Sequence, residues 1–280
     1  MNHKTLTTAA AIITTTLSPT AFASDDNKAL VADTLQAMFT DFDTDATRKL
    51  LAEDYIQHNP AVPTGAAPII ELLPLLKDSG ITSTTFRMIA EGDLVVAHGL
   101  YQDAQLFGAE SLVAFDVFRV EGGQVVEHWD NLQPLVTDTV SGNSMLDGAR
   151  DIIDLDKTAA NKLLVTKFVN DVLHGDAPEK ITDYLSTETY IQHNPHIGNG
   201  LDGLGAAFDA MKEADITMSY SSTPLIVAEG NFVFTASAGE QGGTPTAFFD
   251  LFRVADGKIV EHWDVVSEIP DEMAHDNGKL

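Results

Sequence analysis

An internal repeat constrains this chain more than any other feature of its sequence. The segment YIQHNP at Tyr55–Pro60 recurs letter for letter at Tyr190–Pro195, 135 positions later. Two further motifs recur in the same order: AFDVFRV (114–120) returns as AFFDLFRV (247–254), and VEHWD (126–130) as VEHWD (260–264). The last motif is displaced by 134 positions, so about one residue has been inserted or deleted between the motifs. Self-similarity at a long period indicates a duplicated unit, and the chain is expected to fold as two copies of one domain.

Each copy has the same order of predicted elements. Apolar residues at helical spacing predict an opening helix, a short helix before YIQHNP and a third helix after it. Their ranges are 28–39, 45–52 and 67–77 in copy one, and 157–173, 178–185 and 201–213 in copy two. Runs rich in β-branched and aromatic residues then predict strands, in copy one over 84–90, 94–101, 112–120 and 125–132. Helices followed by an antiparallel sheet predict an α+β fold, with the sheet curling over the long helix.

The N-terminus has the features of an export signal. His3 and Lys4 precede an apolar run over 6–17, and Ala21-Phe22-Ala23 is a pattern that signal peptidases cleave. The run is shorter than the roughly 20 residues of a membrane-spanning helix, which argues against an anchor. The sequence therefore predicts a signal peptide over 1–23 and a periplasmic or secreted protein. The mature chain divides into domain 1 over 24–136, a polar linker over 137–156, domain 2 over 157–270 and a tail over 271–280.

The charge of the chain limits its partners. The sequence has 16 Lys and Arg against 42 Asp and Glu, a net charge of −26. Such a charge disfavours nucleic acid and anionic membranes, and scattered acidic residues keep an exported protein in solution. The chain has no cysteine, so its stability is expected to come from its core.

The paired motifs carry a family resemblance. YIQHNP followed by Gly65 or Gly200, then D-x-F-R-V and a final E-H-W-D hairpin, resembles the SnoaL-like group of the cystatin-like, nuclear-transport-factor-like superfamily, and within it the aldol-condensation branch. The resemblance implies two tandem cone-shaped domains, each with three helices packed on a curved, mainly antiparallel sheet. Such domains commonly pair through their sheets, so an internal pseudo-dimer, and possible assembly into a further homodimer, are implied. The fold hosts cyclases, isomerases, hydrolases and binding proteins, so it does not define the reaction.

Asp116 is the first candidate for a general base. Alternation along the strand places it on one face with Ala114 and Phe118. Burial among apolar neighbours raises the pKa of a carboxyl group toward the range that proton abstraction requires. The alternative is a structural hydrogen bond or ion pair.

Asp130 is the second candidate. It shares a strand face with His128, while Glu127 and Trp129 lie on the other face. Asp130 can therefore orient His128 or act as the base itself. The resemblance implies one acidic base late in the sheet, and Asp116 and Asp130 both match that description. A His-Asp pair at a wet sheet end is the alternative.

Two further histidines are candidates. His58, with its twin His193, is predicted to lie in a loop between helices, where binding groups concentrate; the alternative is that the Gln-His-Asn segment caps helix ends. His98 aligns with Ala236, so only copy one has a histidine on this strand. If His98 polarises a carbonyl group, copy one is the active copy.

Metal chemistry is the remaining alternative, because His58, His98, His128 and Asp116 are all metal-ligand types. The chain lacks the tight ligand spacing of H-E-x-x-H and has no cysteine pair, so no metal and no cofactor is predicted. A G-x-S-x-G nucleophile motif is also absent from the sequence.

The sequence therefore predicts a cofactor-independent acid/base enzyme that acts on a small apolar carbonyl compound. The alternative is a ligand-binding or dimerising module without catalysis. The candidate catalytic residues are Asp116, Asp130, His58, His98 and His128. The candidate ligand-binding residues are Tyr55, Gln57, Asn59, Phe118, Trp129, His193, Asp250, His262, Trp263 and Asp264.

Overall fold

The computed structural model describes residues 24–280 and divides them into two α+β domains, each built on a five-stranded sheet. The predicted signal peptide over 1–23 lies outside the described residues. None of the helices in residues 24–280 has the length and apolar character needed to cross a membrane.

Domain 1 places its helices on one face of its sheet. Its elements are α1 (Ser24–Gln36, extended by a π-helical turn at Ala37–Asp41), α2 (Thr44–Leu50), β1 (Leu51–Gln57), α3 (Ala66–Ser79), β2 (Thr82–Glu91), β3 (Leu94–Gln102), a 3₁₀ turn (Gln105–Phe107), β4 (Ser111–Glu121) and β5 (Gln124–Pro134). The strand order is β1-β5-β4-β3-β2; β1 runs parallel to β5 and the other pairs are antiparallel.

Domain 2 repeats this architecture. Its elements are α4 (Thr158–Phe168, extended by a π-helical turn at Val169–Leu173), α5 (Ile181–Tyr184, after a 3₁₀ turn at Pro178–Lys180), β6 (Ile191–Gln192), α6 (Gly200–Glu213), β7 (Met218–Glu229), β8 (Phe232–Gln241), β9 (Thr244–Ala255) and β10 (Lys258–Glu268). Its strand order, β6-β10-β9-β8-β7, matches that of domain 1 position for position. The α+β fold in two tandem copies is confirmed.

One predicted loop is a strand. Tyr55–Gln57 belongs to β1, and Gln57 pairs with His128 of β5. His58 therefore follows an edge strand and does not lie between two helices, which corrects the expectation from the sequence. The pairing joins residues about 70 positions apart, so local periodicity carries no signal for it.

Both faces of each sheet are buried. In domain 1 the inner face, with Ala114, Phe118 and Val120, packs against the helices. The outer face, with Phe115 and Val117, packs against the outer face of the domain 2 sheet. The rings of Phe115 and Phe234 lie 5.4 Å apart across this contact. Asn131 strengthens it by donating hydrogen bonds to the carbonyl oxygens of Ala247 (3.1 Å) and Val265 (2.6 Å).

The segments that follow each sheet cross to the other domain. The linker after β5 reaches domain 2, where the Val140 amide donates to the Pro195 carbonyl at 2.9 Å. The tail after β10 reaches domain 1, where the Ala274 amide donates to the Pro60 carbonyl at 2.8 Å. We call these segments, residues 137–146 and 270–280, the exchanged arms. The linker predicted as a polar connection is thus a packed arm, and Leu146 and Leu280 both pack in the core between the domains.

Candidate active site

Each domain encloses a cavity between its helices and the inner face of its sheet. The cavity of domain 1 has a volume of about 70 Å³ and that of domain 2 about 530 Å³. The same three polar side chains line both: Asp116, His128 and Asp130 in domain 1, and Asp250, His262 and Asp264 in domain 2. The two aspartates of each set face one another directly across antiparallel strands.

Gln57 determines which ring nitrogen of His128 carries a proton. The Oε1 atom of Gln57 accepts hydrogen bonds from the backbone amides of His58 and Asn59, both at 2.9 Å. It can therefore only accept from His128 Nδ1, which lies 3.0 Å away, so Nδ1 carries a proton. His128 Nε2 then faces Asp116 Oδ1 at 3.2 Å, and a hydrogen bond forms there only when one of the two groups is protonated.

Domain 2 repeats this network. Gln192 Oε1 accepts from the Asn194 amide at 2.9 Å and lies 3.0 Å from His262 Nδ1. His262 Nε2 lies 3.0 Å from Asp250 Oδ1. In each domain the histidine and the first aspartate are therefore placed to share a proton, which leaves the second aspartate as the candidate to accept one.

The two aspartates differ in how many of their oxygens are engaged. Asp116 uses both, because Tyr101 donates its hydroxyl to Oδ2 at 3.1 Å. Asn59 donates to Asp130 Oδ2 at 2.5 Å, and Asn194 to Asp264 Oδ2 at 2.6 Å. The other oxygens of these aspartates, the Oδ1 atoms of Asp130 and Asp264, are buried and accept no hydrogen bond from the described residues.

Burial shifts the titration of these groups. It raises the pKa of Asp116 above the ordinary aspartate value, although the hydrogen bond to His128 opposes the shift. Burial likewise raises the pKa of Asp264, although the charge of His262 opposes it. For His262, burial alone lowers the pKa, but the hydrogen bond to Asp250 and the charges of Asp264 and Asp250 outweigh it and the pKa is raised. A carboxylate with a raised pKa beside a protonated imidazole is an arrangement suited to moving protons near neutral pH.

Several predicted site residues lie outside the cavities. His58 stacks on Trp129, with ring centroids 4.8 Å apart, and its Nε2 lies 2.9 Å from Glu127 Oε1. His193 stacks on Trp263 in the same way at 4.7 Å. These four rings lie on the outer side of the sheets, and the two histidines bind the exchanged arms. His58 Nδ1 donates to the Gly278 carbonyl at 2.8 Å, and His193 Nδ1 donates to the Ser144 carbonyl at 2.6 Å.

His98 also lies on the outer face. It stacks on Phe115, and Arg87 Nη1 donates to its Nδ1 at 3.2 Å. Burial and the charge of Arg87 lower its pKa well below the ordinary histidine value, so it is neutral. The difference between His98 and Ala236 therefore belongs to the contact between the domains and gives no reason to favour copy one.

The remaining predicted residues do line the cavities. In domain 1 these are Tyr55, Gln57, Asn59, Asp116, Phe118, His128 and Asp130. In domain 2 they are Asp250, His262 and Asp264.

Three site residues were not foreseen. Tyr101 and Tyr220 provide the hydroxyl group nearest the first aspartate, but from different strands, so the repeat gives no signal for them. Lys279, on the arm from domain 2, places Nζ 3.5 Å from Asp130 Oδ1. Its signal was the spacing of Asn143 and Leu146, which recurs 134 positions later at the end of the tail.

The side chains of domain 1 account for its smaller cavity. Tyr101 enters it and meets Phe39 at 5.0 Å and Phe107 at 6.1 Å. Phe107 lies on the long β3–β4 connection, whereas β8 and β9 are joined by a tight turn at Gly242 and Gly243 with positive φ. Domain 2 has a glycine where domain 1 has Tyr101. Tyr101 pairs with Leu112, and Gly239 pairs with Thr246, which occupies the position of Leu112 in the second repeat.

Each cavity also has ligands of the type that hold a metal ion. The Asp116, His128 and Asp130 set and the Asp250, His262 and Asp264 set each offer three ligand atoms within 4.8 Å of one another. Most of the same atoms are engaged in the hydrogen bonds described above. His58 and His98 are separated from these sets by the sheet, so the four-residue cluster considered from the sequence does not form.

The fold and the site together define a cavity-bearing α+β domain with a buried Asp-His-Asp set, present twice. The model of the SnoaL-like domain family matches residues 31–128 and again residues 165–262. The chain therefore belongs to the SnoaL-like domain family and contains two tandem members of it, as the motifs predicted.

Solved structures with similar folds each align with about one domain. TsrD from Streptomyces laurentii is 21% identical over 40% of this chain and 91% of its own, with a TM-score of 0.35. IdmH from Streptomyces antibioticus, a candidate polyketide cyclase, is 18% identical over 38% and 91%, with a TM-score of 0.32. A candidate ketosteroid isomerase from Kribbella flavida is 20% identical over 40% and 82%, with a TM-score of 0.34. No curated protein matches the chain.

Proposed function

We propose that the chain is an exported enzyme that removes a proton from the carbon next to a carbonyl group of a small apolar compound, without a cofactor. One observation carries the proposal: Asp264 lines an apolar cavity, its pKa is raised by burial, and its Oδ1 accepts no hydrogen bond from the described residues. A desolvated carboxylate of this kind is a strong general base.

The neighbouring groups support the second half of the reaction. As Asp264 takes the proton, the electrons of the C–H bond move into the carbonyl group and an enolate forms. The proton shared by His262 and Asp250, and the hydroxyl of Tyr220 beside Asp250, are available to stabilise the enolate oxygen. The outcome then depends on the next step. Attack of the enolate carbon on a second carbonyl carbon gives an aldol or cyclase product, and protonation of the enolate at a different carbon gives an isomer.

A substrate-independent probe tests the base. 5-Nitrobenzisoxazole is planar and apolar; a base takes its ring C–H proton, the N–O bond breaks, and a coloured cyanophenolate is released. We expect the kcat/KM of this reaction to rise with pH as Asp264 ionises, with a midpoint above the ordinary aspartate range. Asp264→Asn is expected to lower kcat/KM by about 100-fold or more.

The control is Asp256→Asn, which changes an exposed aspartate in the β9–β10 turn. It is expected to leave kcat/KM unchanged. Binding of 2-naphthol, followed by its fluorescence, reports whether the cavity takes an apolar ring. Binding without any turnover of the probe would replace the enzyme with the alternative, a ligand-binding module.

A further inference from the structure

The second aspartates of the two cavities differ in one close contact. Lys279 Nζ lies 3.5 Å from Asp130 Oδ1, and both side chains are buried, with 5% and 7% exposure. Asp264 has no lysine or arginine within ion-pair distance among the described residues, although neither Oδ1 atom accepts a hydrogen bond. Domain 1 thus holds its carboxylate against an ammonium group, and domain 2 does not.

The exchanged arms identify the residue that replaces Lys279. Asn277 donates its side-chain amide to the Gln57 carbonyl at 2.9 Å, and Asn143 to the Gln192 carbonyl at 3.0 Å. The contacts that follow also match, since Gly278 accepts from His58 and Ser144 from His193. The next residue is Lys279 in one arm and Met145 in the other. The arms are repeat-related, and the cation is specific to the arm that covers domain 1.

Most other groups around the two carboxylates correspond. An exception is the exposed His196, which lines the cavity of domain 2 where the repeat has Ala61 in domain 1, and whose charge opposes the raised pKa of Asp264. Asp130 faces Asn59, Asp116, His128 and Tyr55, and Asp264 faces Asn194, Asp250, His262 and Tyr190. An ammonium group in contact with a buried carboxylate is held there strongly, because the attraction between the two charges is weakly screened. Accepting a proton from carbon would require breaking this ion pair.

We propose that the ion pair with Lys279 prevents Asp130 from acting as a general base, and that the reaction is confined to domain 2. This inference rests on the proposed function, and it assigns that function to one of the two repeats. The filled cavity of domain 1 acts in the same direction, because Tyr101 and Phe107 occupy space that is open in domain 2. Domain 1 then serves as the partner on which the domain 2 sheet packs.

Kinetics with 5-nitrobenzisoxazole separate one working site from two. Two equal sites predict that Asp264→Asn removes about half of the activity, whereas confinement to domain 2 predicts a loss of about 100-fold. In the Asp264→Asn background, Phe107→Ala combined with Lys279→Met is expected to restore activity by about tenfold or more, because Asp130 is released. Phe107→Ala combined with Lys279→Arg retains the cation and is expected to restore none.

Two outcomes of these kinetics overturn the proposal. A twofold loss in Asp264→Asn shows that domain 1 is active. Equal recovery with Lys279→Arg and Lys279→Met shows that the charge is irrelevant. Thermal unfolding of each variant confirms that it is folded at the assay temperature.

A binding measurement distinguishes this inference from the proposed function. We expect 2-naphthol to bind one site per chain, weakened by Ala207→Phe, which fills the domain 2 cavity. Ala206→Phe is the matched control, since Ala206 is exposed on the same helix. Two equivalent sites overturn the assignment to domain 2. One site with no probe turnover refutes the acid/base function but keeps the cavity of domain 2 as the ligand site.

Discussion

At the scale of single residues, Asp264 is where function and stability conflict. Burial raises its pKa in the folded chain, whereas in the unfolded chain it has the ordinary aspartate value. Between these two pKa values the folded state binds more protons, so the free energy of unfolding falls as pH rises through that window. Asp264→Asn removes this loss, and we expect a higher Tm than wild type at about pH 7 but little difference at about pH 3.

Calorimetry at the two pH values checks this expectation. Asp256→Asn, in an exposed turn, should show the same Tm as wild type at both. A variant that is less stable than wild type at neutral pH would mean that the ionised carboxylate stabilises the fold, contrary to its burial. Together with the loss of turnover, a stabilised variant would mark Asp264 as a residue retained for chemistry.

The sequence predicted some site residues and misplaced others for a physical reason. Strand alternation correctly grouped Asp116 with Phe118 and His128 with Asp130, because the period of two is a local property. Alternation did not show that His98 lies on the face opposite the cavity, because both faces of the sheet are buried and both provide apolar neighbours. Only the contact between the domains decides which face holds the cavity.

At the scale of elements, α3 and α6 show why the cavity of domain 1 is small and that of domain 2 is large. α3 buries Ile69, Ile70, Leu73 and Leu76, whereas none of the 14 residues of α6 is fully buried. The sequence located both helices to within two residues, because their apolar spacing is local. It did not indicate how far each lies from its sheet, which depends on contacts distant in sequence.

Leu73→Ala tests the packing of α3. Leu73 is 1% exposed in the core of domain 1, so truncation should lower the free energy of unfolding by about 2–5 kcal/mol. Leu75→Ala makes the same chemical change at a position that is 50% exposed and should cost less than about 1 kcal/mol. Chemical denaturation of both variants measures the difference, and equal losses would contradict the burial of Leu73.

At the scale of the whole molecule, the exchanged arms tie each domain to the other. Arg87 of β2 holds the linker through the backbone carbonyls of Leu146, Asp147 and Ala149, and its guanidinium lies 4.2 Å from the Trp263 ring centroid. Each segment by itself has the polar composition of a simple linker or tail. The two segments are recognisable as equivalent only when they are aligned at the offset of the repeat.

Deleting residues 274–280 tests this exchange, because the two arrangements predict opposite outcomes. If the tail stabilised the domain to which it is joined, the deletion would weaken domain 2. In the structure the tail contacts domain 1, where Asn277 binds the Gln57 carbonyl, Gly278 binds His58 and Lys279 pairs with Asp130. We therefore expect hydrogen exchange to accelerate in β1 (Leu51–Gln57) while β6 (Ile191–Gln192) stays protected by the intact linker. Mass spectrometry of the exchanged peptides measures both strands in one experiment, with the full chain as the control. Loss of protection in β6 with β1 unchanged would show that the tail belongs to domain 2.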